Sequence, residues 1–121
     1  MNRNYIEIMG HAGADADVKD TQSGRPMTTL SIAVTESWRD GNEKKERTEW
    51  FRVVAFDGLA KYAAGFRKGN SIMVVGKLRT REYEDKDGRK ATSVEIVANA
   101  FYSLIPGQRA DTQTAQEGAE S

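Results

Sequence analysis

Between Thr48 and Phe56 the chain sets two rings and a guanidinium at every second position, in a segment, Thr48-Glu49-Trp50-Phe51-Arg52-Val53-Val54-Ala55-Phe56, that reads as a β-strand. On a strand, alternate side chains share a face. Trp50, Arg52, Val54 and Phe56 therefore point one way, and Phe51, Val53 and Ala55 the other. The second set is purely apolar and suits a core. The first combines flat rings with a cation, the equipment needed to stack bases and neutralise phosphates.

A second stripe of the same kind follows. Lys77, Arg79, Arg81 and Tyr83 share one parity, opposite Leu78, Thr80 and Glu82, and lead into the turn Asp85-Lys86-Asp87-Gly88. Trp38 adds a ring in Glu36-Ser37-Trp38-Arg39-Asp40, at the end of another apolar alternation. Each feature alone has an ordinary explanation, since charged residues on a sheet face are usually just solvated and a Trp often closes the mouth of a barrel. Two ring-and-cation faces on strands able to share one surface make that explanation less economical. Stacking contributes about 1–3 kcal/mol per base, so several platforms sustain binding even at a formal net charge of zero.

Catalysis and metal binding find little support. His11, the one histidine, has no cysteine or second histidine to act with. Gly76-Lys77 resembles the end of a phosphate loop, but Ser71 stands where the first glycine is required and Leu78 where Ser or Thr must follow. Asp15, Asp17 and Asp20 suggest a calcium loop, yet Asp20 occupies the glycine position and no Glu completes the loop. Neither a metal nor a cofactor is expected. The absence of cysteine excludes disulfides and thiolate chemistry.

The elements that must position these residues follow from period-two alternation. Ile6 and Ile8 mark a first strand; Leu30, Ile32 and Val34 a second; Thr48–Phe56 a third; Ile72, Val74 and Leu78 a fourth; Val94 and Ile96, flanking Glu95, a fifth. Breaks fall at residues 21–26, in the charged run Arg39 to Arg47, and at Asp87-Gly88, whose Asp-Gly pair favours a hairpin. One segment has helical period instead: Leu59, Tyr62, Ala63 and Phe66, with Asp57 placed to cap its start and Gly69 to end it. Three strands, one short helix and two further strands predict an all-β OB-fold, a five-stranded Greek-key barrel with the helix between strands 3 and 4.

Length and composition agree with one such unit. The 121 residues, 38% hydrophobic, suffice for a single small core, assigned to residues 1–105. Residues 106–121 are dominated by Gly, Gln, Thr, Ala and acidic residues and read as a disordered tail. That tail carries one basic and three acidic residues, so the domain itself is slightly basic. No signal peptide or membrane-length apolar run is visible, and a cytoplasmic location is the expectation.

Taken in order, several segments resemble bacterial single-stranded DNA-binding proteins of the replicative type. They are Ile8-Met9-Gly10, Thr35 to Asp40, Thr48 to Phe56, Leu59-Ala60, Arg67-Lys68-Gly69-Asn70, Val75 to Arg81, and Tyr83, spanning roughly residues 3–105. The resemblance implies an OB-fold that binds single-stranded DNA without catalysis or sequence preference in replication, repair and recombination. It implies bases stacked on Trp38, Trp50, Phe56 and Tyr83 and phosphates held by Arg52, Lys68, Arg79 and Arg81; the stripe analysis adds Lys77. It further implies a homotetramer paired through first strands, and replication and repair enzymes as partners. Those are recruited in the family through an acidic tip ending in Pro-Phe, which residues 106–121 do not contain. Tyr83 stands where many members carry Trp, Glu82 where a basic residue is common, and Asp57-Gly58 where Gly-Lys often follows, so weaker backbone attraction is expected. The competing expectation is an OB module for protein interaction, such as a primosomal accessory protein, with weak nucleic-acid binding. Stacking alone leaves DNA and RNA undistinguished, because every base has a π-face.

Overall fold

The computed structural model describes residues 2–104 and 111–114. Its elements are β1 (Ile6–Ala12), β2 (Asp17–Asp20), β3 (Pro26–Asp40), β4 (Glu43–Phe56), α1 (Asp57–Ala63), β5 (Ser71–Glu84), β6 (Lys90–Leu104) and β7 (Asp111–Thr114). The strands are ordered β1-β5-β6-β4-β3-β2, with β7 beside β6, and the additional pairing of β1 with β3 closes the sheet on itself. All pairings are antiparallel except β4 with β6, where Val53 faces Ile96 and Val54 faces Val97. This is the expected five-stranded OB barrel, built from β1, β3, β4, β5 and β6, with the helix between the third and fourth of them.

The core follows the alternation. Leu30, Ile32, Val53, Ala55, Ile72, Val74 and Ile96 are buried inside the barrel. Leu59, Ala60 and Ala63 of α1 join them, and Thr28 Oγ1 donates to the Ala60 carbonyl at 2.7 Å, tying helix to barrel. Beyond the helix Phe66 packs edge-on to Phe101, with ring centroids 5.4 Å apart. Closure needs a glycine. β1 crosses β3 so closely at Gly10 that a β-carbon there would collide with the Ala33 carbonyl oxygen, which leaves room for hydrogen alone.

Several expectations change. The charged run Arg39 to Arg47 is not a loop: β3 and β4 stay paired from Met27↔Phe56 out to Asp40↔Glu43, forming one long projecting ribbon. The strand β2 was not foreseen, and neither was β7; the remaining tail positions, 106–110 and 115–121, lie outside the described residues. Asp57 does not cap the helix. Phe56 is the cap residue and no side chain caps the end, because the Asp57 carboxylate is taken by Arg25. The helix ends at Ala63, where tighter turns (Gly65 N–H to Tyr62 O, Phe66 N–H to Ala63 O) replace it; Gly69, at φ 91°, belongs to the following turn.

Candidate nucleic-acid interface

Register turns the two stripes into one surface. Arg79 of β5 lies opposite Glu95 of β6, and Arg52 of β4 lies opposite Ser31 of β3. With β6 also beside β4, Arg79, Glu95, Arg52 and Ser31 form a cross-strand row over the outer face of the barrel. A groove of about 420 Å³ lies along it, lined by Lys19, Met27, Arg52, Val54, Arg79, Arg81 and Glu95.

Glu95 is the organising residue of this groove, and the sequence reading passed over it. Its side chain is only 2% exposed, yet it is charged. Arg52 Nε donates to Oε2 at 3.1 Å, and Arg79 Nε donates to Oε1 at 3.0 Å. Burial acts to raise the Glu95 pKa, but the hydrogen bonds and charges of Arg79 and Arg52 outweigh it and hold the carboxyl below its ordinary range. One carboxylate thus fixes two guanidiniums and neutralises one of them. The signal for it was a single acidic residue between Val94 and Ile96, which period two assigned to the solvent side. Val94 is in fact the exposed residue, because the β5–β6 hairpin has run past the barrel there, while Glu95 is roofed by the two arginines. Val54, placed on the mixed face, is likewise buried beneath the groove.

Trp50 stands beside this row and is 61% exposed. Its ring lies on the backbone of Gly13, and together with Ala14, Asp15, Asp17 and Arg52 it lines an adjoining recess of about 360 Å³. Lys68 joins from the turn after the helix, where its backbone N–H donates to Asp15 Oδ1 at 2.9 Å. Phe56, half-buried, has the Arg25 guanidinium carbon 4.4 Å and that of Arg79 5.7 Å from its ring centroid. Lys77, Arg81 and Tyr83 are exposed along β5, opposite Val97, Ser93 and Ala91.

Trp38 does not join the same face. It shares the parity of Leu30 and Ile32, whereas Trp50 pairs with Ala33 of the other parity, so the two indoles project from opposite sides of the β3–β4 ribbon. Trp38, 47% exposed, sits in its own recess with Ser37, Arg39 and Lys44. Of the nine residues singled out by spacing or resemblance, Arg52, Arg79 and Arg81 line the groove, Trp50 and Phe56 adjoin it, Lys77 and Tyr83 continue the same parity along β5, Lys68 lies on the turn bonded to Asp15, and Trp38 stands apart. His11 lies exposed on β1.

A closed barrel with a helix between its third and fourth long strands, crossed by a groove of exposed rings and cations, defines an OB-fold domain. Comparison with known proteins narrows this. The single-strand binding protein family matches residues 3–104. Single-stranded DNA-binding protein 1 of Xylella fastidiosa (strain 9a5c) is 44% identical over 105 residues, 84% of this chain and 76% of that protein. The single-stranded DNA-binding protein of Rhizobium meliloti (strain 1021) is 40% identical over 106 residues, 84% of this chain and 61% of that protein. Among solved structures, the Plasmodium falciparum SSB complex with ssDNA is similar with a TM-score of 0.72 and 32% identity, covering 81% of this chain and 88% of that one. The chain belongs to the single-strand binding protein family.

Proposed function

We propose that this chain binds single-stranded DNA without sequence preference and without catalysis, protecting it and keeping it unpaired during replication, repair and recombination. The observation that carries the reading is Trp50: a large ring left more than half exposed, supported from below by Gly13 and flanked by the row of Arg52, Glu95 and Arg79. An indole costs free energy to leave in water, and beside fixed cations it forms the platform that sequence-tolerant stacking needs. The names of the relatives and the DNA-bound state of the structural neighbour support the same reading. The nine residues Trp38, Trp50, Arg52, Phe56, Lys68, Lys77, Arg79, Arg81 and Tyr83 are the contacts of this proposal.

Titration with oligo-dT is expected to quench Trp fluorescence, with affinity falling as salt rises because phosphate contacts release counterions. Absence of quenching at low salt would overturn the proposal, and competition between matched DNA and RNA strands decides between the two nucleic acids.

The same reading includes a homotetramer. Along Ile6–Met9, β1 is paired on one edge with β5; it meets β3 only at its end, with close approach at Gly10 and ladder pairing at His11 and Ala12, so among the described residues the other edge has no strand partner along Ile6–Met9, and Tyr5 and Met9 stand exposed there. Such an edge favours pairing with a second copy. Native mass measurement of the free protein and its dT complex tests this, and a monomer would refute it. Replication and repair enzymes as partners and a cytoplasmic, nucleoid-associated location belong to the proposal as well. No helix among the described residues is long and apolar enough to cross a membrane.

A further inference from the structure

We propose that Arg25 is an additional nucleic-acid contact: its guanidinium, held over the Phe56 ring by Asp57, is the surface on which a base stacks at this end of the groove. The proposal rests on the single-strand reading above and assigns a residue within it.

Arg25 closes the turn before β3, and that turn is fixed from within. The Thr21 backbone N–H donates to the Arg25 carbonyl at 3.0 Å, the Arg25 N–H donates to Thr21 Oγ1 at 3.1 Å, and the Gly24 N–H donates to the Thr21 carbonyl at 2.8 Å. From this base the side chain reaches the end of β4. Its Nε and Nη2 donate to Oδ1 and Oδ2 of Asp57, each at 2.9 Å, a forked pairing that sets the orientation of the guanidinium as well as its position. Asp57 itself sits at φ 59°, an uncommon backbone state for a residue with a side chain.

The guanidinium carbon so placed lies 4.4 Å from the Phe56 centroid, close enough for attraction by the ring quadrupole. A base inserted between the two would need roughly twice the ~3.4 Å spacing of stacked bases, which this separation does not allow. A second cation, Arg79, stands 5.7 Å from the same centroid and is itself held by buried Glu95. The ring that spacing offered as a bare platform thus carries a tethered guanidinium, and a base arriving from the Arg25 side meets that guanidinium first. The Arg25 side chain is 52% exposed, and guanidinium planes stack bases as aromatic rings do. An Asp carboxyl is ionised at neutral pH in any case, and the hydrogen bond from Arg25 holds that of Asp57 below its ordinary range, so that the pairing extends further into acid.

Oligo-dT titration of the full chain, followed by Trp fluorescence, tests this with Arg25→Ala, Arg25→Lys, Asp57→Asn and Trp50→Ala. Arg25→Ala is expected to weaken binding roughly five- to tenfold. Arg25→Lys, which keeps the charge but loses the plane, is expected to weaken it about as much, and Asp57→Asn by an intermediate factor. Arg25→Ala binding as tightly as the unaltered protein, or more tightly, would show that Arg25 only covers the ring and would overturn the proposal. Wild-type affinity in Arg25→Lys would reduce Arg25 to a point charge, and wild-type affinity in Asp57→Asn would remove the tether; either refutes it. Should Arg25→Ala melt early, Arg25→Lys, which keeps a cation to pair with the Asp57 carboxylate though not the fork, decides the question. Trp50→Ala separates the two readings: if the unaltered protein does not bind at all, the single-strand reading fails, whereas loss in Trp50→Ala with none in the Arg25 variants overturns the Arg25 proposal alone.

Discussion

Gly13 is the floor beneath the Trp50 indole. A β-carbon on that glycine would overlap the ring at Cζ3, so the indole rests directly on backbone, and that backbone is itself fixed by the Gly13 N–H donating to the Ser31 carbonyl at 2.9 Å. Trp50 is thereby exposed and yet oriented, a combination that a ring free to swing on its own rotamers would lack.

Gly13→Ala is accordingly expected to tilt the indole and reproduce a large part of the loss seen on removing it. Trp50→Ala should weaken oligo-dT binding by about 1–3 kcal/mol, and Gly13→Ala by a substantial fraction of that, with the thermal melt nearly unchanged. Binding titrations and the Trp emission maximum check this together; unchanged affinity in Gly13→Ala would mean that the floor does not orient the ring.

Trp38 and Trp50 lie on opposite sides of one ribbon, and the residue paired with Trp50, Ala33, is five positions from Trp38, about 17 Å at ~3.4 Å per residue. Their substitutions should therefore be additive in a double-mutant cycle, within about 0.5 kcal/mol. Strong coupling would place both rings on one base path.

Glu95 gives the protein an acid-sensitive joint. Its folded pKa is lowered, so it binds fewer protons folded than unfolded. Its stabilising contribution is complete above the ordinary carboxylate range and is lost as pH falls through that range toward the lowered folded value. Glu95→Gln should melt earlier than the unaltered protein at pH 7, by about 1–2 kcal/mol given that both arginines remain partly in water, and the difference should shrink in acid. Melting curves from pH 7 to pH 3 measure it; a gap that widens in acid would contradict the assigned sign.

Gly10→Ala should damage the barrel itself. The added carbon meets a backbone oxygen of β3 rather than a movable side chain, so β1 must shift. A loss of about 2 kcal/mol or more in denaturant unfolding is expected, as for other overpacked interiors. Native stability in that variant would show that β1 can retreat from β3 without cost.

Much of the barrel was legible in the chain because its signals are local. Alternation of Leu30, Ile32 and Val34, or of Phe51, Val53 and Ala55, requires only that neighbours point to opposite faces, and it located all five principal strands. The same rule misled where a strand outran the barrel. Val94 has core parity but nothing to pack against, and Arg39 to Arg47 looked like a loop because a ribbon projecting into solvent on both faces carries no apolar face. The short strands β2 and β7 carry no apolar period of their own.

The sequence by itself determined which rings and cations share a parity on each strand, since period two follows from the pleat of a single chain. Tertiary structure alone decided how those groups are held. Arg52 and Arg79 meet at Glu95, 43 and 16 residues away; Trp50 rests on Gly13; Phe56 is covered by Arg25, itself bound to Asp57. Each of these partnerships depends on the register between strands or on how a connecting turn folds back over the sheet, and neither is written in the spacing of one strand. Spacing therefore named the groups able to bind, and register selected which of those cations a buried carboxylate ties down.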